Sequence, residues 1–459
     1  MNDFYLNNID KSKNVHLVGI GGISMSGLAR ILMNKGFSVT GSDISESEAV
    51  LSLRAAGAKV TVGHKKENAE GASLVVYTAA VKEDNPELVY AKENGIKAIE
   101  RSVLLGAIMR EFKKSIGIAG THGKTTTTSM MSHVLLKADL DPTITIGGNL
   151  DLIGGNIRVG ESEYFLTEAC EYHSSFLEFF PTVCVVTNVD ADHLDYFRDL
   201  DHIKEVFSDY LAIPDENGFA VVCADDKNAT DCLGKVRGRV LTYGIDADAD
   251  FKAENVSYDE NGFGNFTVSF FGESIEVKLN VPGRHNVLNA LSCFAAGYAL
   301  GIKKEVIREG VSEFSLVHRR FEKKGEVNGA TVIDDYAHHP TEIMCTLETA
   351  KNIAKERVRV IFQPHTYTRT RALFDEFKKA FSSADEIIVC DIYAAREKDT
   401  GLVSAKELSD AILKEGKDAK YIKDFDEIAS YIKDTSKEGD IVITMGAGDV
   451  CKISDILTK

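Results

Sequence analysis

The sequence predicts an α/β protein of three domains, on three observations. The chain has 459 residues, too many for a single hydrophobic core and enough for roughly three domains. Short apolar runs of strand length alternate with segments whose apolar residues recur at helical spacing. Polar and glycine-rich residues gather where the predicted strands end, the edge at which open parallel sheets bind ligands. A charged helix ending at Arg110 and the run His318-Arg319-Arg320 divide the chain into residues 1–110, 111–315 and 316–459.

The first domain opens with a strand, Val15 to Gly19. A turn follows, Gly19-Ile-Gly21-Gly22-Ile-Ser24-Met-Ser-Gly27, and then a helix running to Met33 and stopping at Gly36. Phe37 to Thr40 is a second strand with Asp43 just beyond it, and Ser73 to Thr78 a third. This is a dinucleotide-type, Rossmann-like start. Ser24 replaces the third glycine of the usual fingerprint, so the pattern also fits an ordinary α/β crossover with a tight turn. Gly21, Gly22, Ser24 and Thr78 face the ligand edge of such a sheet. Asp43 has the chemistry to accept from a ribose hydroxyl or a base N–H.

The second domain starts with Gly117-Ile-Ala-Gly120-Thr121-His122-Gly123-Lys124-Thr125-Thr126, between an apolar strand at Ser115 to Ala119 and a helix at Thr127 to Ala138. Strand, glycine loop, Gly-Lys-Thr and helix make a phosphate loop. Backbone N–H groups and the helix N-terminus suit phosphate oxygens. Lys124 reaches the outer phosphates, and the Thr125 hydroxyl suits magnesium. The glycines stand at 117, 120 and 123, with Ile118 where the standard spacing has glycine. Tyr164 to Glu168 is a strand ending at a carboxylate, with Glu171 and His173 behind. Val183 to Asn188 is another strand, before Asp190, Asp192, His193 and Asp195. Glu168 and His193 thus fall at strand ends, as the loop does, and a carboxylate, an imidazole and a threonine hydroxyl suit magnesium. Further strands lie at Phe219 to Cys223 and Arg239 to Tyr243. A β meander follows from Phe251 to Val281, with Asn261-Gly262 as its hairpin turn. A helix then runs from Pro282 to Gly301. Asn286 and Asn289 share one face of it, placed either to cap it or to grip a base edge.

The third domain alternates again, with strands at Thr331 to Asp334, Arg357 to Phe362, Glu386 to Asp391 and Asp440 to Thr444. Helices are read at Thr341 to Ile353, Arg371 to Phe381 and Ala405 to Lys414. Three polar clusters stand at strand ends: Asp334-Asp335-Tyr336-Ala-His338-His339-Pro340, then Gln363 to Arg371 with His365 and Arg369, then Tyr393-Ala-Ala-Arg396-Glu397.

Composition narrows the partners. The net charge of −17 argues against nucleic acid. The polar N-terminus has no apolar core of signal-peptide type, and no apolar run approaches membrane-helix length, so no membrane insertion is expected. Eight cysteines are scattered singly and read as buried thiols of a reducing cytoplasm.

Gly-Thr-His-Gly-Lys-Thr-Thr, Thr-Asn-x-x-x-Asp-His-x-Asp, Gly-x-His-Asn-x-x-Asn and Asp-Tyr-x-His-His-Pro together resemble the motifs of the bacterial muropeptide (Mur) ligases. These add amino acids to UDP-N-acetylmuramic acid, and the likeness covers all three domains. The Gly-Ile-Gly-Gly-Ile-Ser-Met-Ser-Gly turn and Phe-Gln-Pro-His-x-Tyr-Thr-Arg-Thr favour L-alanine as the amino acid. The resemblance implies a UDP-sugar-binding first domain using Gly21, Gly22, Ser24, Asp43, Thr78 and His122. It implies a central P-loop-type domain binding ATP through Gly120, Thr121, His122, Gly123, Lys124, Thr125, Thr126, Asn286 and Asn289. Arg320 and Asp335 would complete the nucleotide site. Thr125, Glu168 and His193 would hold Mg2+. In a Rossmann-like C-terminal domain, Tyr336, His338, His365 and Arg369 would bind L-alanine. Lys124, His193, His338, His365 and Arg369 would act in catalysis. The carboxylate of UDP-N-acetylmuramate would pass through an acyl phosphate, and ADP and phosphate would leave, in peptidoglycan precursor synthesis. The amine proton would go to a histidine or to phosphate. The protein would be a monomer or weak homodimer. Thr366 stands where many members have arginine, and Glu168-Ala-Cys170-Glu171-Tyr-His173-Ser departs from the usual Glu-Ala-Asp-Glu-Ser. A dehydrogenase would explain the first domain alone, and a nucleotide switch the loop alone. A closer rival is a recycling ligase that attaches a whole tripeptide.

Overall fold

The computed structural model describes residues 3–459 apart from 79, 316, 317, 396 and 400. Arg396 of the last polar cluster therefore lies outside the described residues. The chain packs as two compact units. One comprises Met1–Val189, Lys204–Tyr243 and Ser292–Val311, the other Asp190–Ile203, Gly244–Leu291 and Ser312–Lys459.

The first unit begins with β1 (Asn14–Val18), β2 (Ser38–Asp43), β3 (Lys59–Val62), β4 (Ala72–Tyr77) and β5 (Lys97–Glu100). They form a parallel sheet in the order β3-β2-β1-β4-β5. The sequence reading found the three inner strands and missed both edges. The reason is visible in β3, where only Val60 is buried and no apolar run exists to read. Asp43 is the last residue of β2, not a residue beyond it.

The unit continues with β6 (Lys114–Ala119), β7 (Thr143–Leu150), β8 (Gly155–Arg158), β9 (Tyr164–Glu168), β10 (Val183–Val186), β11 (Phe219–Cys223) and β12 (Arg239–Gly244). Their order is β12-β11-β10-β6-β9-β7-β8. All the neighbouring pairs are parallel except β7 with β8. Parallel strands buried on both faces read as continuous apolar runs, which is why Val183–Val186, buried throughout, was legible. β6 lies between β9 and β10, so the segments leaving all three strands share one edge of the sheet.

The second unit holds an antiparallel meander, β13 (Phe251–Tyr258), β14 (Phe263–Phe270) and β15 (Glu273–Pro282). Its first turn is longer than a two-residue Asn-Gly hairpin. Asp259 accepts from the amides of Asn261 and Phe263, and Gly262 takes the positive φ of +76°. The remaining strands are β16 (Glu322–Val327), β17 (Ala330–Asp335), β18 (Val358–Phe362), β19 (Glu386–Val389), β20 (Ala419–Tyr421) and β21 (Ile441–Met445). They run β16-β17-β21-β18-β19-β20, with β16 an antiparallel edge.

Alternation along this sheet builds two cores. Ile333, Val360, Phe362, Ile387, Ile443 and Met445 join Ile343 and Leu347 of helix Pro340–Ile353 on one face. Val332, Ile361, Ile388 and Val442 join Ile428 and Ile432 of helix Phe425–Thr435 on the other. Each such side chain contributes about 1.5–3 kcal/mol on burial. The predicted helix from Arg371 to Phe381 is two short ones, Tyr367–Ala372 and Phe374–Lys379, broken where Leu373 leaves helical geometry at φ −107°, ψ 24°. All eight cysteines are free. Among the described residues no helix is long and apolar enough to cross a membrane.

Candidate functional site

In the first unit the glycine loop joins β6 to helix Lys124–Lys137. Gly120 and Gly123 take φ of +139° and +83°, where side chains are strained. A Cβ at Gly120 would also collide with the Thr187 hydroxyl. Gly117 lies inside β6, where a Cβ would run into the Tyr210 hydroxyl, so it is a packing glycine rather than part of the loop. That accounts for the glycine at 117.

The residues after β10 hold the loop in shape. Thr121 N donates to the Asn188 carbonyl at 3.1 Å. His122 N donates to Asn188 Oδ1 at 2.8 Å, and Asn188 Nδ2 donates back to the His122 carbonyl at 3.0 Å. Thr187 Oγ1 donates to the same carbonyl at 2.6 Å. Thr121 and Thr126 are buried beside it. No side chain caps the helix that follows, so its N-terminal dipole stays available to an anion.

Lys124 Nζ donates to the carbonyls of Gly120 and Thr121 and to both oxygens of Glu171, at 3.1 and 2.9 Å. Burial disfavours the ammonium, but the Glu171 carboxylate outweighs it and holds the Lys124 pKa above its ordinary value. Thr125 Oγ1 donates to Glu168 Oε2 at 3.2 Å, and Gly147 N to Glu168 Oε1 at 2.6 Å.

In the second unit, Asp192 and Arg369 are largely buried and paired. Arg369 Nε lies 3.1 Å from Asp192 Oδ1, and Nη2 3.3 Å from Oδ2. Burial would raise the Asp192 pKa, but His193, Arg369, His339 and His338 together hold it well below the carboxylate range. Arg369 Nη1 lies 3.2 Å from His365 Nδ1. His193 sits beside the pair, with its amide on Asp192 Oδ1 at 2.7 Å and a strained φ of +53°.

Four rings run in sequence here. Tyr336 and His338 meet edge-on, His338 and His365 likewise, and His365 stacks on Tyr393. Burial pushes both His338 and His365 down to about 4, so both are neutral at neutral pH. His338 Nδ1 faces the Tyr336 carbonyl at 3.0 Å and a Glu342 oxygen at 3.3 Å. Two acceptors there place the proton on Nδ1 and leave Nε2 with a free lone pair. Asp335 is buried, accepts from the amides of Phe321 and Ala337, and is pushed up to about 6 by burial. Arg320 lies over the Tyr336 ring.

Three family models match in sequence. The Mur ligase family catalytic domain covers residues 14–113, the Mur ligase middle domain 118–297, and the Mur ligase glutamate ligase domain 319–448. A UDP-N-acetylmuramate–L-alanine ligase of Caldanaerobacter subterraneus subsp. tengcongensis is 51% identical over 448 residues, 97% of each chain. The chain belongs to the Mur ligase family. The crystal structure of a UDP-N-acetylmuramate–alanine ligase from Thermotoga maritima superposes with a TM-score of 0.79 at 32% identity, over 97% of this chain and 98% of that one. A murein peptide ligase from Psychrobacter arcticus gives 0.70 at 27% identity, over 97% and 98%. Three α/β domains, as the sequence predicted, are thus the Mur ligase fold.

Within that frame the structure brings Lys124, Thr125 and Glu168 together. Their hydroxyl and carboxylate oxygens are hard donors of the kind magnesium takes, so this part of the expected metal set fits. His193 belongs to the second unit, with His338, His365 and Arg369. Asn286 and Asn289 are buried. Asn286 Nδ2 bonds back to the Pro282 carbonyl at 2.7 Å, and Asn289 Nδ2 reaches Asn286 Oδ1 at 3.1 Å. In the first domain Gly21 N donates to Asp43 Oδ2 at 2.8 Å. Gly22 and Ser24 are exposed at the start of helix Ile23–Asn34, and Thr78 Oγ1 accepts from Ala80 N. The sequence reading missed Thr187 and Asn188 as loop supports, Glu171 as the lysine's partner, and Asp192 as the arginine's. The Thr-Asn-x-x-x-Asp motif contains three of these four, but the motif says nothing of what each side chain holds.

Proposed function

We propose that this protein joins L-alanine to the carboxylate of UDP-N-acetylmuramate, consuming ATP, in peptidoglycan precursor synthesis. The observation that carries the reading is the convergence of Lys124, Thr125 and Glu168 on a shaped phosphate loop. The names of its full-length relatives supply the acceptor and the amino acid. The three regions 1–110, 111–315 and 316–459 would take the UDP-sugar, ATP and the amino acid respectively.

A carboxylate resists amines because it has no usable leaving group. Transfer of the ATP γ-phosphoryl to one carboxylate oxygen makes an acyl phosphate and releases ADP. The alanine amine then attacks the acyl carbon, and the C–O bond to phosphate breaks. Lys124, kept charged, neutralises oxygen charge during the transfer, as does the helix N-terminus. Thr125 and Glu168 would hold Mg2+; when bound, the ion supplies charge neutralisation at the phosphates. His338 Nε2 accepts from the amine and orients its lone pair. An imidazole with a pKa of about 4 holds a proton poorly, so the departing phosphate takes it. Arg369 keeps Asp192 and the His193 turn in place and offers Nη1 to the alanine carboxylate.

The test is phosphate release with ATP, Mg2+ and UDP-N-acetylmuramate against a panel of amino acids and the L-Ala-γ-D-Glu-diaminopimelate tripeptide. L-alanine should give the fastest release, with one amide formed per phosphate. Release indifferent to the amino acid, or fastest with the tripeptide, would overturn the reading. The second outcome would favour ligation of a peptide, the kind of activity in the name of the Psychrobacter arcticus murein peptide ligase.

A further inference from the structure

β7 passes the end of β9 at Gly147. There its amide donates to Glu168 Oε1 at 2.6 Å, while the Thr125 hydroxyl donates to Oε2 at 3.2 Å. The carboxylate is therefore gripped by backbone on one side and by the phosphate loop on the other. A Cβ built at Gly147 would stand 2.8 Å from Oε2, 3.2 Å from Oε1 and 3.3 Å from Cδ of Glu168. The three nearest atoms all belong to this one carboxyl group.

Nothing in the backbone asks for glycine here. Gly147 is not among the glycines of positive φ, and the residue is exposed. Gly120 is different, because it combines a φ of +139° with the Thr187 hydroxyl in its path. Substitution at 120 would disturb the whole loop, whereas a methyl at 147 displaces a single carboxylate.

We propose that Gly147 is a positioning residue for Glu168. Its missing side chain leaves the space in which the carboxylate stands beside Thr125, and its amide fixes the other oxygen. A methyl group would push Oε2 away from Thr125 and spoil the pair as a divalent-cation seat. The proposal rests on reading Thr125 and Glu168 as donors to Mg2+.

The test is calorimetric titration of ADP at a series of Mg2+ concentrations, on the full chain. The variants are Gly147→Ala, Glu168→Asp and the double variant. Wild-type affinity for ADP should tighten with Mg2+. In Gly147→Ala the Mg2+ concentration for half of that tightening should rise ~10-fold or more, the usual effect of disturbing a ligand's support. ADP affinity in EDTA and the nucleotide-free Tm should not change. The double variant should recover part of the loss, because aspartate is one methylene shorter and withdraws from the methyl. Wild-type behaviour in Gly147→Ala, an equal loss in EDTA, or strict additivity in the double variant would each overturn the proposal. A wild-type protein whose ADP affinity ignores Mg2+ would overturn the cation reading of Thr125 and Glu168, and the proposal with it.

Discussion

In the phosphate loop, a half-buried lysine is kept charged by Glu171. In the cluster around Arg369, burial keeps two imidazoles neutral, and the guanidinium is forked onto the buried Asp192. The first arrangement suits a polyanion, since an incoming triphosphate replaces one carboxylate with several charged oxygens at a rigid ring of donors. The second suits a small zwitterion. Neutral imidazoles can accept from an amine, while Arg369, in the proposed role, would serve a carboxylate without abandoning Asp192. A charge held ready and a charge already engaged respond differently to mutation.

The loop should show the largest effect. Lys124→Ala should cost about 4 kcal/mol in the phosphoryl-transfer barrier. It also removes the bonds from Lys124 to both oxygens of Glu171, a residue 3% exposed, so the Tm should fall. Lys124→Ala/Glu171→Gln should recover the Tm and none of the rate. A single variant that melts normally and keeps more than about a tenth of the rate would break the loop side of the comparison.

Arg369→Ala comes next. It strands Asp192 and should cost about 3 kcal/mol of stability, and Arg369→Ala/Asp192→Asn should restore most of it. If Nη1 also receives the substrate carboxylate, the double variant keeps a raised KM for L-alanine, with KM for ATP and the UDP-sugar nearly unchanged. A normal alanine KM in the double variant would leave Arg369 to Asp192 alone.

The smallest effect is on pH dependence. His338 has a folded pKa of about 4 against an ordinary 6.5. The unfolded chain therefore takes up the proton first as pH falls, and stability present above pH 6.5 is lost on the way down to 4. By pH 5 this group should have cost ~2 kcal/mol. The drop in Tm from pH 7 to pH 5 should be smaller in His338→Asn than in the wild type. Equal drops would mean that His338 is not held neutral.

The same contrast governs what was legible in the sequence. Central strands such as Val183–Val186 announce themselves by unbroken apolar runs, and the glycine loop by spacing. The edge strands β3 and β5 did not, because they are exposed on one side, and neither did β7, which carries Gly147, Gly148 and Asn149. The residues proposed to act on ligands were named from motifs. Those that act on other side chains were not, because Glu171 meets Lys124 and Asp192 meets Arg369 over sequence gaps of 47 and 177 residues. Such pairings arise only when the chain folds. The requirement for glycine at 147 is of the same kind, since it depends on where Glu168 stands.

The central claim is that the carboxylate of the UDP-sugar is activated by phosphorylation before the amine attacks. It is tested most directly with UDP-N-acetylmuramate carrying oxygen-18 in both carboxylate oxygens, turned over with ATP, Mg2+ and L-alanine. The account predicts that each phosphate released carries one oxygen-18 and each amide retains the other. Phosphate free of the label, with amide formed at the normal rate, would contradict it.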